Sequence, residues 1–377
     1  MSSQPKKKNN HFVPRNYLRR FGSGSNRQIA LYNLESGRTV EAAPIKSQCS
    51  RDYFYTTNPI FEESFSKIEG EQERLLSDII ATQSFPAHGS SDRSLLSGCV
   101  MFQAGRTATT LAHRDHITNQ FGKALLRHHL AKEGRTDMLE YLPKLKIRTT
   151  DVVMDAVGQN LALSPLIDDL DSTPILNDTY EDFLTSDHPV ALCNSLPAGH
   201  ASNRRTGFAS RGLIIVYPIS PRALLFLSDA EVYKVEKNSA GASTLKRRQE
   251  VIELNLAQCG NAYENLYFAS LARVQATLEA FRKRPDAVRP SRPTLKETPL
   301  LSEDNRRAVL MNISPHVRRL SVPKVVQIRY AVKTGKYELG NGRVRDPVRR
   351  QVVMAALDRI DTLLEEAAKR AKGEKSE

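Results

Sequence analysis

Four short strings in this 377-residue chain carry the side chains best suited to chemistry. The first, His11-Phe12-Val13-Pro14-Arg15-Asn16-Tyr17-Leu18-Arg19-Arg20-Phe21, is dense in functional groups for a chain terminus, where sequences are usually slack. It is expected to dock against the rest of the protein, with His11 as a general base, as a metal ligand or in a structural role. In the second string, Glu69 and Glu73 stand four apart. On a helix that spacing projects both carboxylates from one face, where they could share a divalent cation or simply be solvated. The third holds Gln103, Arg106, Thr107, Thr110 and His113, a polar stripe on an otherwise apolar helical pattern. An arginine facing inward needs an anion, either a carboxylate of the protein or a phosphate of a ligand. The fourth, Thr185-Ser186-Asp187-His188-Pro189, lies where one strand is expected to end and another to begin. Loops at such ends expose reactive groups on a rigid scaffold, so Asp187 could hold Mg²⁺ or activate water. A turn in which its carboxylate accepts backbone N–H bonds is the competing reading.

The elements that must position these strings follow from periodicity. Residues 28–34 alternate as a strand and lead through Glu35-Ser36-Gly37-Arg38 to a second strand near Thr39, the pattern of a hairpin. Phe61, Phe65, Ile68, Leu75, Leu76, Ile79 and Ile80 recur at helical spacing, which places Glu69 and Glu73 on an amphipathic helix over 61–82. A second helical pattern over about 94–131 carries Gln103 and Arg106 and is expected to break near Gly105 or Gly122. From Phe183 the texture turns to short apolar runs, 183–185, 190–193, 213–217 and 223–227, which read as strands between Pro189, Pro218 and Pro221. Helices are expected over about 244–258 and 265–281. The predicted fold class is α+β, with hairpins, a mixed sheet and long amphipathic helices over 1–281. A proline-rich basic linker over 282–299 then leads to a small, basic, mainly helical module over 300–377. Its last helix, over 347–372, opens on Pro347 and carries an apolar stripe.

A 40% hydrophobic content over this length excludes wholesale disorder. No apolar run approaches the roughly 20 residues of a membrane helix, so no membrane partner is expected. Cys49, Cys99, Cys193 and Cys259 are single and lack metal-site spacing, which predicts reduced thiols and a cytoplasmic location. The net charge of +13 is uneven. Residues 1–27 hold seven cations and no acid, 282–299 hold six cations against Asp286 and Glu297, and 305–350 hold twelve against Glu338 and Asp346. The remainder is acidic on balance. Basic ends on an acidic body predict a nucleic-acid partner, DNA or RNA, held through phosphate contacts by the N-terminal and C-terminal segments. Tyr330 and Tyr337 are the only rings in 305–350, so phosphate contact is better supported there than base stacking.

Taken together, the strings resemble the family known as domain of unknown function 4238. The likeness rests on His11-x-x-Pro14-x-x-Tyr17-Leu18-x-x-Phe21, on the pair Phe54-Tyr55 ahead of Glu69 and Glu73, and on Gln103-x-x-Arg106-Thr107. It continues through Thr185-Ser186-Asp187-x-Pro189-Val190, Pro218-x-Ser220-Pro221 and Leu254-Asn255. It covers residues 11–268 and leaves the basic C-terminal segment outside. The resemblance implies a bacterial protein associated with anti-phage defence, without supplying a mechanism. The motif residues are mainly polar, which points to a pocket. As a metal-dependent, nuclease-like hydrolase, the protein would hold Mg²⁺ on Asp187 with Glu69 or Glu73, and His11 would orient or deprotonate water. Gln103 and Arg106 would bind the scissile phosphate, with Tyr17, Arg15 and Asn255 completing the substrate contacts. The alternatives are a non-catalytic module that recognises a nucleotide or phage component, and an RNA-binding toxin that blocks translation.

Overall fold

The computed structural model describes residues 9–23, 27–52, 54–55, 59–148, 152–196, 207–284, 294–301, 307–314, 320–329 and 345. The chain opens with β1 (Asn9–His11), α1 (Arg15–Arg19), β2 (Gln28–Asn33), β3 (Thr39–Pro44) and β4 (Ser50–Asp52). Helices α2 (Pro59–Thr82), α3 (Ser91–Gly105), α4 (Ala108–Lys132) and α5 (Val152–Ala162) follow. Then come β5 (Asp171–Asn177), β6 (Thr185–Ser186), β7 (Ala191–Asn194), β8 (Leu213–Ser220), β9 (Ala223–Ser228), β10 (Tyr233–Val235) and β11 (Ser243–Leu245). The described elements end with α6 (Arg248–Asn261), β12 (Asn265–Phe268), α7 (Gln275–Lys283), β13 (Thr294–Leu301), β14 (Arg307–Ser314) and β15 (Val326–Ile328). The α+β class holds.

Two sheets organise these elements. One has the order β11-β5-β9-β8-β7, antiparallel except for the β11/β5 pair, and the other has the antiparallel order β3-β2-β12-β6. Strands β8 and β9 are almost wholly buried, which is why they read as unbroken apolar runs and not as alternating ones. Their period of two still sorts the side chains. Leu213, Ile215, Tyr217, Leu225 and Leu227 face a core shared with α2, α3 and α5. Ile214, Val216, Leu224 and Phe226 face a core shared with α6.

The hairpin expected at 28–44 forms, with Gly37 at φ 68° in its turn, a conformation that a residue without Cβ adopts freely. The long helical pattern breaks at Gly105 and not at Gly122. A Cβ on Gly105 would stand 2.7 Å from Asn160 Nδ2 on α5, and Thr107 caps the next helix through its hydroxyl. The helix expected over 265–281 is instead β12, a turn of 3-10 helix at Leu271–Arg273 and the start of α7. Residues 265–268 form β12 between β2 and β6, because pairing on both edges overrides a helical spacing pattern.

In the C-terminal segment the described elements are strands. β13 begins at Thr294, inside the stretch read as a linker, and pairs with β14. The helix expected over 347–372 lies outside the described residues. β15 pairs with β10, and Leu320 and Val326 enter the core shared with α6. Arg345, 3% exposed, donates to both carboxylate oxygens of Asp169 and to the carbonyls of Ser210 and Leu166.

Candidate functional site

Strand β1 pairs with β4 in the register His11↔Ser50, and Pro14 precedes α1, so that His11 and Arg15 leave the backbone on the same side of one cavity. A single turn of 3-10 helix at Ile45–Ser47 adds Lys46. Helix α2 supplies the facing wall with Glu62, Phe65, Ser66 and Glu69, spaced at i, i+3, i+4 and i+7 as one helical face requires. The cavity measures about 560 Å³, and Arg106, just past the end of α3, closes it together with Tyr55.

Arg106 is the hub of this site. It is 1% exposed, and its Nη2 donates to Glu69 Oε1 and to the His11 carbonyl, both at 2.6 Å. Its Nε donates to the Tyr55 hydroxyl at 2.7 Å, and that hydroxyl donates onward to the His11 carbonyl at 2.9 Å. The guanidinium carbon lies 4.6 Å from the centre of the Phe102 ring and 5.3 Å from that of Tyr55, within range of cation–π attraction. Burial opposes its charge, but Tyr55 and Glu69 outweigh that cost and raise its pKa above the ordinary value. Its Nη1 is buried and has no hydrogen-bond partner. A buried charged donor left open costs free energy, and the Phe102 and Tyr55 rings against the guanidinium offset part of that cost.

Three cations, Arg15, Lys46 and Arg106, line the cavity against two carboxylates, Glu62 and Glu69. Glu62 accepts from Asn10 Nδ2 at 2.6 Å, and Asn10 Oδ1 accepts from the Phe54 amide. The imidazole Nε2 of His11 lies 3.1 Å from the Lys46 carbonyl and must donate to it, since a carbonyl only accepts.

The structure therefore brings together His11, Arg15, Glu69 and Arg106 and leaves the other expected site residues elsewhere. Asp187 is outside the cavity lining. Its carboxylate accepts three backbone N–H bonds, from Tyr263 at 2.8 Å, Glu264 at 2.7 Å and Asn265 at 3.0 Å, and so ties the end of β6 to the turn before β12. Burial is the largest influence on its pKa and lifts it to about 6, with the three N–H bonds pulling the other way. Glu73 lies one helical turn beyond Glu69, about 6 Å along the axis, and pairs with Arg20 at 2.7 Å. Among the described residues, no group of three or more His, Cys, Asp or Glu side chains is placed to hold a metal ion. The expected ligand set of Asp187, Glu69 and Glu73 does not assemble, because one carboxylate is committed to backbone amides and another to an arginine.

The expected substrate contacts divide in the same way. Tyr17 is buried; its hydroxyl donates to the Pro218 carbonyl at 2.5 Å and accepts from Thr185 Oγ1 at 2.6 Å, which joins α1 to both sheets. Gln103 Nε2 donates to the Phe12 carbonyl at 3.1 Å and holds the first string in place from beneath. Asn255 accepts from the Leu184 amide and donates to the Asp182 carbonyl and Thr277 Oγ1. These three brace the fold. Sequence reasoning missed Asn10, Lys46, Glu62 and Ser66. The i, i+7 spacing of Glu62 and Glu69 was a legible signal for one of them. Lys46 had none, since it reaches the cavity only through the β3–β4 connection.

No curated protein and no solved structure matches this chain. Residues 9–271 match the family model described as protein of unknown function, DUF4238. That span runs from β1 to just beyond β12 and takes in every residue that lines the cavity. The chain belongs to the DUF4238 family.

Proposed function

We propose that the cavity between β1 and α2 recognises the phosphate of a nucleotide or of a nucleic-acid end, and that the protein serves anti-phage defence as the recognising component. The observation that carries this reading is the open donor of Arg106. A fully buried guanidinium in a cavity wall, clamped by Glu69, Tyr55 and the His11 carbonyl, still has Nη1 without a partner. Planar, preorganised guanidinium groups suit phosphate recognition. Arg15 and Lys46 on the walls add two cations, and a volume of about 560 Å³ falls within the range of small-ligand pockets. Arg15 and Arg19 are exposed beside the cavity, where they can carry the nucleic-acid contact expected of the basic N-terminal segment. Lys6, Lys7 and Lys8 lie outside the described residues, as do most cations of 305–350.

Hydrolysis in the same cavity is the second reading, favoured by His11 and Glu69 lining one space. The dispersed carboxylates do not fit an Mg²⁺ centre of the kind first expected, so any proton transfer would fall to these two side chains.

Thermal unfolding with a panel of nucleotides and 5′-phosphorylated oligonucleotides tests the proposal. A ligand at 100 times its dissociation constant stabilises by about 2.7 kcal/mol. Chromatography of the same mixtures separates a recogniser, which returns its ligand intact, from a hydrolase. A panel in which no phosphate-bearing compound moves the unfolding midpoint sinks the reading.

A further inference from the structure

A second polar surface lies away from the cavity, where β5, the β8–β9 turn, β11 and the segment before α7 meet. Tyr180 is 56% exposed, more than any other large hydrophobic side chain among the described residues. Two arginines flank its ring: the guanidinium carbon of Arg273 stands 4.5 Å from the ring centre and that of Arg248 5.8 Å. Neither arginine is loose. Arg248 donates to Glu181 Oε2 through Nε and Nη2 at 2.9 and 2.8 Å, and Glu181 is wholly buried, with its other oxygen accepting from the amide and hydroxyl of Thr277. Arg273 donates to Asp182 Oδ1, which also receives Arg222 at 2.9 Å.

The buried carboxylates thus hold two guanidinium groups in fixed geometry beside the exposed Tyr180 ring. Adjoining it, Lys246 and Arg247 are exposed and form no ion pair among the described residues. The Asp178 amide bonds to the Leu245 carbonyl, which keeps the Tyr180 loop beside these two cations. An exposed, preorganised aromatic with cations alongside suits a polyanion that also offers planar faces. That is single-stranded nucleic acid, whose bases stack on aromatic side chains while cations track the backbone. A duplex buries its base faces and fits less well.

We infer that the surface around Tyr180 docks single-stranded nucleic acid, with a base against Tyr180 and phosphates on Lys246 and Arg247. This surface shares no residue with the cavity lining, and the inference stands whether or not the cavity binds a nucleotide.

The test uses the full-length protein and fluorescence anisotropy with two labelled strands of equal length, oligothymidine and an abasic backbone. Tyr180→Ala should weaken oligothymidine binding about tenfold or more, from a stacking contribution of about 1–3 kcal/mol per base, and leave the abasic strand unchanged. Tyr180→Phe should bind like the parent. The double variant Lys246→Glu, Arg247→Glu should weaken both strands and reduce the salt slope by about 0.7 for each phosphate that the two cations no longer neutralise. Melting midpoints should stay unchanged in all three variants, because the substituted side chains are exposed. Unaltered oligothymidine affinity in Tyr180→Ala, or an equal loss on both strands, overturns the inference. Competition by polyglutamate as strong as that by oligothymidine, and equally dependent on Tyr180, also overturns it and assigns the surface to an acidic protein.

Discussion

The Arg106 cavity and the Asp187 turn are both built on short polar strings set into apolar surroundings, so that in sequence they look alike in polarity. Their hydrogen bonds separate them. At the turn, the Asp187 carboxylate is matched by three amides of its own chain. At the cavity, Arg106 spends Nε and Nη2 on the protein and keeps a buried Nη1 without a partner, in a wall that faces about 560 Å³ of open space. A fully satisfied polar group serves the fold, whereas one left unpaired calls for a further explanation. Polar density in a sequence marks either case.

Five substitutions test this contrast. Asp187→Ala leaves three part-buried backbone amides without their shared acceptor and should cost about 2 kcal/mol or more of stability in denaturant unfolding, while protein that remains folded keeps its nucleotide response. A loss of ligand binding at unchanged stability would return Asp187 to the site. Arg106→Met removes the guanidinium but keeps the bulk between Phe102 and Tyr55. It should cost about 2 kcal/mol, because the Glu69 carboxylate it abandons is 32% exposed and can rehydrate, and it should abolish the ligand-induced shift in midpoint.

Tyr17→Phe deletes the bonds to Pro218 and Thr185 at constant shape. It should cost about 1 kcal/mol and leave ligand affinity untouched, as measured by calorimetry. An affinity change would move Tyr17 from the frame into the site. The smallest effect on stability belongs to Arg15→Ala and Lys46→Ala. Both should stay within about 0.5 kcal/mol of the parent, as surface changes usually do, yet weaken phosphate-ligand binding several-fold. Unchanged binding in both would leave Arg106 alone as the anion contact.

Local regularities made much of this fold legible before any coordinates. The Gly37 turn joins two alternating strands, and the apolar spacing of α2 marks a helix that also aligns Glu62 with Glu69. The run from Leu213 to Leu227 reads as two buried strands because no polar residue breaks it before Ser220. What escaped were elements fixed by distant partners. Residues 265–268 look helical until β2 and β6 flank them, and nothing local in Leu320, Val326 and Arg345 announces the core shared with α6, the pairing of β15 with β10 or the bond to Asp169.

The same division holds at the site. Sequence alone determined that His11, Arg15, Glu69 and Arg106 would be polar, where along the chain they fall, and for Glu69 which helix carries it, since side-chain periodicity is a property of each element. Only the tertiary structure decided that these residues line one cavity while Asp187, Glu73, Tyr17, Gln103 and Asn255 do not. The deciding bonds span 95 residues between Arg106 and His11, 76 between Asp187 and Tyr263, and 201 between Tyr17 and Pro218. Whether a polar group meets its own chain or an open space is settled by packing across such distances, and no local pattern encodes it.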